Sequence, residues 1–138
     1  MRYRARPLLR LGTFQLARRL RAEKADDELS DGQFSVLAGL FLHGPHTLTA
    51  LAEREHVSSP SMNRTVNCLE REGYLTRVED AADRRRVSIT LTEAGTDIVE
   101  QTVLRRDAWL STRIASLTPE ERETVSRAAT IMRRLATQ

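Results

Sequence analysis

The chain has a single cysteine, Cys68, so no internal disulfide can form and a disulfide-stapled secreted scaffold is excluded. No apolar run approaches the roughly 18 residues that a membrane-spanning helix needs. Glycine (6) and proline (4) are scarce and aromatics make up only 4%, which disfavours a sandwich or barrel built on frequent turns and favours helices. There is no glycine-rich phosphate loop, no G-x-S-x-G and no H-E-x-x-H, and the carboxylates read as helix caps and helix-face partners. The chain is therefore expected to be no enzyme and to need no cofactor. The basic start, MRYRARPLLRLG, is not followed by an apolar core with a small-residue cleavage site. A signal peptide is not expected, and the cytoplasm is the expected compartment.

What remains is 138 residues, 40% apolar and 30% charged, the proportions of one soluble domain. The net charge is only +3, but lysine is nearly missing: Lys24 is the one lysine among 22 basic residues. Arginine forks onto phosphates and guanine edges, which suits nucleic acid. A GC-rich coding sequence produces the same bias, so the arginine count by itself decides nothing.

Apolar periodicity and punctuation divide the chain into six helical stretches and one hairpin. Leu9, Leu16 and Leu20 recur on one face of a first helix from Leu8 to about Ala25. Ser30 to Gln33 is a capping box for a second helix carrying Phe34, Val36, Leu37, Leu40, Phe41 and Leu42, apolar nearly all round and so expected to be buried on most sides. Gly44-Pro45 stops it. Thr47 caps a third helix, Leu48 to about Glu55, and Ser59-Pro60 reads as the cap and first residue of a fourth that ends near Gly73. Only His56, Val57 and Ser58 separate the third and fourth helices, the spacing of a helix-turn-helix.

The period then changes to two. Leu75–Glu79 and Val87–Leu91 read as strands of a hairpin whose tip carries Arg84, Arg85 and Arg86. Thr92 opens a long fifth helix with Val99, Val103, Leu110, Ile114 and Leu117 in a stripe. Thr118-Pro119-Glu120-Glu121 opens a sixth, with Val125, Ala128, Ala129, Met132 and Leu135 on one face. The fold class is thus mainly α with a small β-hairpin, a winged helix-turn-helix with further helices attached.

In such a module the second helix of the turn enters the major groove and the wing lies alongside it. With Met62, Val66 and Leu69 turned inward, Pro60, Asn63, Arg64, Asn67 and Arg71 point away from the core. Asn and Arg suit bidentate contacts with adenine and guanine, and Ser59 and Ser61 lie at the helix start, where free N–H groups favour phosphate. Each outward residue alone could be a solvated face, and the three arginines could merely keep a turn soluble. Their coincidence with the wing points to double-stranded DNA. A protein-interaction module with a basic wing is the competing reading; it needs the wing but not the base-reading residues.

The sequence from Thr47 to Gly95, TLTALAEREHVSSPSMNRTVNCLEREGYLTRVEDAADRRRVSITLTEAG, resembles the MarR (multiple antibiotic resistance regulator) family of bacterial transcription regulators. Asp83-Arg84-Arg85 matches that family's wing motif, and Leu91-Thr92-Glu93-Ala94-Gly95 matches its leucine-threonine-x-x-glycine. The resemblance implies that Arg85 enters the minor groove, that Asp83 orients it, and that Arg64 meets the DNA backbone or bases. Ala81 stands where the family commonly has proline, so the tip is expected to be mobile without DNA. The resemblance also implies one MarR-type domain over residues 1–138, with a DNA-binding lobe at 30–92 and a helical dimerisation lobe at 1–29 and 93–138. It implies a homodimeric repressor of a palindromic operator, released by a small aromatic or phenolic effector. Phe14, Phe34, Leu37, Phe41 and Trp109 are candidates to line the effector pocket, although each reads first as plain core.

Two further readings are weaker. Cys68, rotated off the inward face and flanked by Arg64 and Arg71, could be a redox-sensing thiol, but the family's thiol sensors carry the reactive cysteine near the N-terminus. His43, His46 and His56 invite a metal, but Gly44-Pro45 breaks the helix between the first two, and no metal site is expected.

Overall fold

The computed structural model describes residues 5–138; the first four residues of the basic N-terminal stretch lie outside it. The order is α1 (Ala5–Ala22), α2 (Asp31–His43), α3 (Leu48–Glu55), α4 (Ser59–Arg71), β1 (Leu75–Glu79), β2 (Val87–Leu91), α5 (Glu93–Ala115) and α6 (Pro119–Ala136). This is the mainly helical fold with a two-stranded wing that the sequence leads one to expect. Five of the six helices open on a Ser or Thr whose hydroxyl accepts an otherwise orphan N–H of the first turn. Ser30 with Gln33 and Thr118 with Glu121 form complete capping boxes. One cap differs from expectation. Ser58, not Ser59, caps α4 by accepting from the Ser61 N–H, so Ser59 is the first helical residue and Pro60 the second.

The core is assembled around α2. Leu29, Phe34, Val36, Leu37, Leu40, Leu51, Ala52, Met62, Val66, Leu69, Leu75, Ile89 and Val99 are buried together. Met62, Val66 and Leu69 are the inward stripe of α4; at about 2 kcal/mol for each buried side chain their burial is worth about 6 kcal/mol against the entropy of ordering the helix. The last turn of α2 does not follow the expectation of burial. Phe41 and Leu42 are exposed, because Leu42 lies on the side of the helix away from Leu37 and Phe41 lies one turn beyond it, at the helix end.

β1 and β2 pair antiparallel from Leu75 opposite Leu91 to Glu79 opposite Val87. His46 adds a bridge to the outer side of β2, exchanging both backbone hydrogen bonds with Ile89. Gly73 takes a left-handed φ of 81° to turn the chain from α4 into β1. The start of α5 is bolted to this turn: the Thr92 hydroxyl donates to the Gly73 carbonyl and the Thr92 N–H to the Tyr74 carbonyl. Gly95 lies so close beneath that a Cβ there would meet the Tyr74 carbonyl oxygen at 1.9 Å. That contact gives the leucine-threonine-x-x-glycine sequence a physical meaning.

α5 also holds the α1–α2 connection. Arg106 Nε donates to the carbonyls of Leu20 (3.0 Å) and Glu23 (3.2 Å), its guanidinium lies 4.5 Å from the centre of the Phe34 ring, and burial lowers its pKa. Arg105 donates to the Lys24 carbonyl, and the buried Thr102 hydroxyl accepts from the Ala25 N–H. Tyr74 joins the same connection to the winged part through its hydroxyl, which donates to Asp26 at 2.6 Å.

Candidate nucleic-acid interface

The first turn of α4 is where backbone N–H groups could meet a phosphate. Pro60 has none, and the Ser61 N–H is taken by the Ser58 cap, which leaves Ser59 as the donor of that turn. Ser59 and Pro60 are exposed and Ser61 is half-buried. Further along, Asn63, Arg64, Asn67 and Arg71 are exposed, opposite the buried Met62, Val66 and Leu69. The outward face expected from the spacing is therefore the outward face observed.

The asparagines on that face are engaged in a way the sequence reading did not foresee. Arg77, on β1, donates from Nη2 to Oδ1 of Asn67 at 2.9 Å and to Oδ1 of Asn63 at 3.1 Å. Its Nη1 donates to Glu70 Oε1 at 2.7 Å in a salt bridge. Asn63, Asn67 and Glu70 are spaced i, i+4, i+7 and so form one stripe along α4. Leu75 and Arg77 share the inward side of β1, Leu75 buried and Arg77 half-buried. A charged residue at an inward strand position needs acceptors, and that was the available signal for Arg77. The contact also ties the wing strand to the outward stripe of α4.

At the wing tip two aspartates organise the backbone. Asp80 Oδ1 accepts from the Ala82 N–H at 2.9 Å and Asp83 Oδ1 from the Arg85 N–H at 3.0 Å. The Asp80 N–H donates to the Arg86 carbonyl and the Arg86 N–H to the Asp83 carbonyl. These bonds define the turn without the proline that Ala81 replaces. Arg84, Arg85 and Arg86 all face solvent, and the Arg85 side chain is 94% exposed. Asp83 also lies 3.6 Å from Arg85 Nε, so one carboxylate faces both the backbone and the side chain of that residue.

The remaining candidates are scattered. Phe14 lines a cleft with Arg18, Arg21, Lys24 and Asp31, and Phe34 lines an adjoining one with Arg21, Asp31 and Arg106. Leu37 is fully buried in the core and lines neither cleft, and Phe41 is exposed at the end of α2. Trp109 belongs to the contact of α1 with α5, its ring flanked by Arg19 and Arg113. Cys68 is half-buried, with Gln33 Nε2 3.4 Å from its sulfur. His46 Nδ1 lies 2.7 Å from the Gly44 carbonyl oxygen and Nε2 3.4 Å from Arg54, so both ring nitrogens face protein groups. Among the described residues no three His, Cys, Asp or Glu side chains gather at metal-binding distance.

Known proteins share this fold. The model of the MarR family matches residues 29–87, from Leu29 just before the N-cap of α2 to the start of β2. An HTH-type transcriptional regulator of Mycobacterium tuberculosis is 35% identical over 124 residues, covering 90% of this chain and 87% of that one. The chain belongs to the MarR family. It is a MarR-family transcriptional regulator with a DNA-binding winged helix, and no helix among the described residues is long and apolar enough to cross a membrane. The structure of a MarR family protein from Bacillus stearothermophilus superposes with a TM-score of 0.83 at 25% identity, over 98% of this chain and 94% of that one. MepR of Staphylococcus aureus bound to ethidium bromide gives a TM-score of 0.67 at 25% identity, over 95% and 94%. A MepR mutant bound to an oligodeoxyribonucleotide shares the fold, with a TM-score of 0.74 at 24% identity over 97% and 98%.

Proposed function

We propose that this MarR-family regulator is a homodimeric repressor that binds a palindromic operator and leaves it when a small aromatic or phenolic compound binds. The observation that carries DNA recognition is the bond from Arg77 of the wing strand to Asn63 and Asn67. It sets a basic wing beside the exposed face of α4, so that one surface presents both groove-reading elements. Arg64, Asn63 and Asn67 meet base edges in the major groove, Ser59 meets phosphate through its free N–H and Ser61 through its hydroxyl, and Arg85 enters the minor groove with Arg84 and Arg86 on the backbone. Asp83 acts as support for Arg85.

Dimerisation is supported by the apolar stripes of α1, α5 and α6. Leu9 and Leu16, Leu110 and Ile114, and Val125 and Met132 converge on an open groove of about 790 Å³. Leu8 also lines this groove, and Leu104 on α5 and Leu135 on α6 stand exposed as well. Open apolar surface on this scale is unfavourable in water, and a second copy would bury it. The effector is supported by the adjoining clefts of Phe14 and Phe34. There Arg18, Arg21, Lys24 and Arg106 outnumber Asp31, which suits an aromatic ring bearing a negative charge. The clefts adjoin the α1–α2 connection that Arg105, Arg106 and Thr102 hold. A ligand there could favour one setting of the two lobes and weaken DNA binding by its differential affinity. Such a regulator works in the cytoplasm, where bacterial DNA is.

Selection from a random duplex pool followed by footprinting tests the reading. The expected site is an inverted repeat with half-site centres about 10 bp apart, matching two recognition helices roughly 34–36 Å apart. Affinity should fall by orders of magnitude between low and moderate salt, because several arginines per subunit release counterions. An asymmetric site bound by one chain at full affinity would rule out the dimeric mechanism.

A further inference from the structure

The geometry points to Arg77 as the residue that decides what the two asparagines of the recognition helix can read. This inference rests on the docking of α4 in the major groove proposed above. Asn63 and Asn67 sit on the outward stripe of α4, and an asparagine amide can face a base edge in two ways. With both groups free it takes adenine bidentately, Oδ1 accepting from N6 and Nδ2 donating to N7. With Oδ1 turned back onto a donor within the protein, the amide points Nδ2, and not its oxygen, at the base edge. Arginine carries five N–H donors and no acceptor, so an amide within hydrogen-bond distance of it must turn its oxygen inward. Arg77 Nη2 lies 2.9 Å from Asn67 Oδ1 and 3.1 Å from Asn63 Oδ1, so both amides are oriented by one group. The other arm of the fork, Nη1, lies 2.7 Å from Glu70 Oε1, one turn further along the stripe.

Glu70 has two consequences for this arrangement. Its carboxylate is 40% exposed and would repel nearby phosphates if unpaired; the ion pair neutralises it. It also fixes the guanidinium plane, because one nitrogen of the fork is committed to Glu70 while the other serves the two amides. Lysine in place of Arg77 would bring a point charge without that plane. The result is a recognition helix whose Asn63 and Asn67 present Nδ2 donors to the groove. These donors find two acceptors on guanine (O6 and N7), one on thymine (O4), and on adenine only N7, beside the N6 donor that opposes them. They do not match adenine as a bidentate partner. Arg77 therefore acts as a positioning and specificity-determining residue, reaching the bases through the asparagines without touching them.

The test is base preference. Asn63→Ala and Asn67→Ala, each selected against a random duplex pool, locate the operator positions where preference relaxes. At those positions the unaltered protein should select guanine or thymine, and Arg77→Gln should shift preference toward adenine by about tenfold or more. Positions under Arg85 should keep their preference in the same variant, which a general loss of structure would not allow. Should Arg77→Gln fail to melt cooperatively, Glu70→Ala replaces it, and the same shift in smaller degree is expected as the guanidinium loses its anchor. Adenine selected at both positions by the unaltered protein would overturn the assignment. So would an unchanged preference in a folded Arg77→Gln or Glu70→Ala variant. If the unaltered protein selects no sequence at all, the docking of α4 fails and this inference falls with it. Selection of a sequence with the wrong preferences rejects the role of Arg77 alone.

Discussion

Replacing Gly95 by alanine adds one methyl group at the start of α5, and the structure predicts a loss of stability from an exchange that helix propensity would favour. An ideal Cβ at this position lies 1.9 Å from the Tyr74 carbonyl oxygen, 2.9 Å from its carbon and 3.0 Å from Leu91 Cδ2. The first two are backbone, and that carbonyl already accepts the Thr92 N–H at 3.1 Å, so it cannot swing aside without breaking the bond that anchors α5. Relief requires α5 to move away from the α4–β1 turn by more than 1 Å on the order of ordinary contact distances, which places the cost at the upper end of overpacking, about 3 kcal/mol. Alanine returns about 1 kcal/mol of helix propensity. The net loss is about 2 kcal/mol, or about 7 °C in melting temperature for a chain of this length. Calorimetry at fixed protein concentration measures it, which holds any contribution from self-association constant. Gly32, in the first turn of α2, is the control. A Cβ there meets nothing closer than the Ser30 hydroxyl at 4.0 Å, so Gly32→Ala should stabilise by up to about 1 kcal/mol. Equal and favourable effects at both positions would refute the close approach of α5 to Tyr74.

Arg85→Ala should leave the fold intact, because its side chain is 94% exposed, yet weaken DNA binding by about 1–3 kcal/mol and relax preference for an A·T-rich flank. Affinity unchanged within twofold, measured by fluorescence anisotropy, would exclude its entry into the minor groove. Ser58→Ala should destabilise by about 1 kcal/mol and Ser59→Ala by much less, since Ser58 is the cap of α4; chemical denaturation giving the reverse order would reject that cap. The Tyr74 hydroxyl is pushed up to about 12, first by its hydrogen bond to Asp26 and then by burial. A raised value means that the folded state favours the protonated phenol. The stabilisation from this bond is therefore complete below about pH 10 and lost as pH rises through about 12. Melting curves of Tyr74→Phe and the unaltered protein should differ most below pH 10 and converge above 12; a constant offset across that range would contradict the Tyr74–Asp26 bond.

Much of the fold was legible because it depends on short-range chemistry. The two strands run over the residues that period-two alternation marks, Leu75–Glu79 and Val87–Leu91. Four of the expected caps, Ser30, Thr47, Thr92 and Thr118, stand where a hydroxyl precedes an apolar stripe. At α4 three consecutive residues, Ser58, Ser59 and Pro60, fit a helix start, and composition cannot choose between adjacent serines. Phe41 and Leu42 were misjudged because hydrophobicity says that a residue would gain from burial, not that the fold offers a surface to cover it.

The sequence by itself determined the order of elements, the inward stripe of Met62, Val66 and Leu69, the outward face of α4 and the arginine tip of the wing. Each follows from periodicity or from neighbours within a few residues. Tertiary structure alone decided what those side chains meet. Arg77 reaches Asn67 across 10 residues and Asn63 across 14, Tyr74 reaches Asp26 across 48, and Arg106 reaches Leu20 across 86. Such bonds depend on the path of the Gly73 turn and on the packing of α5 over it, which bring together groups that no local rule pairs. That is why the sequence reading left Asn63 and Asn67 as free readers of adenine, whereas the fold hands their oxygens to the wing strand.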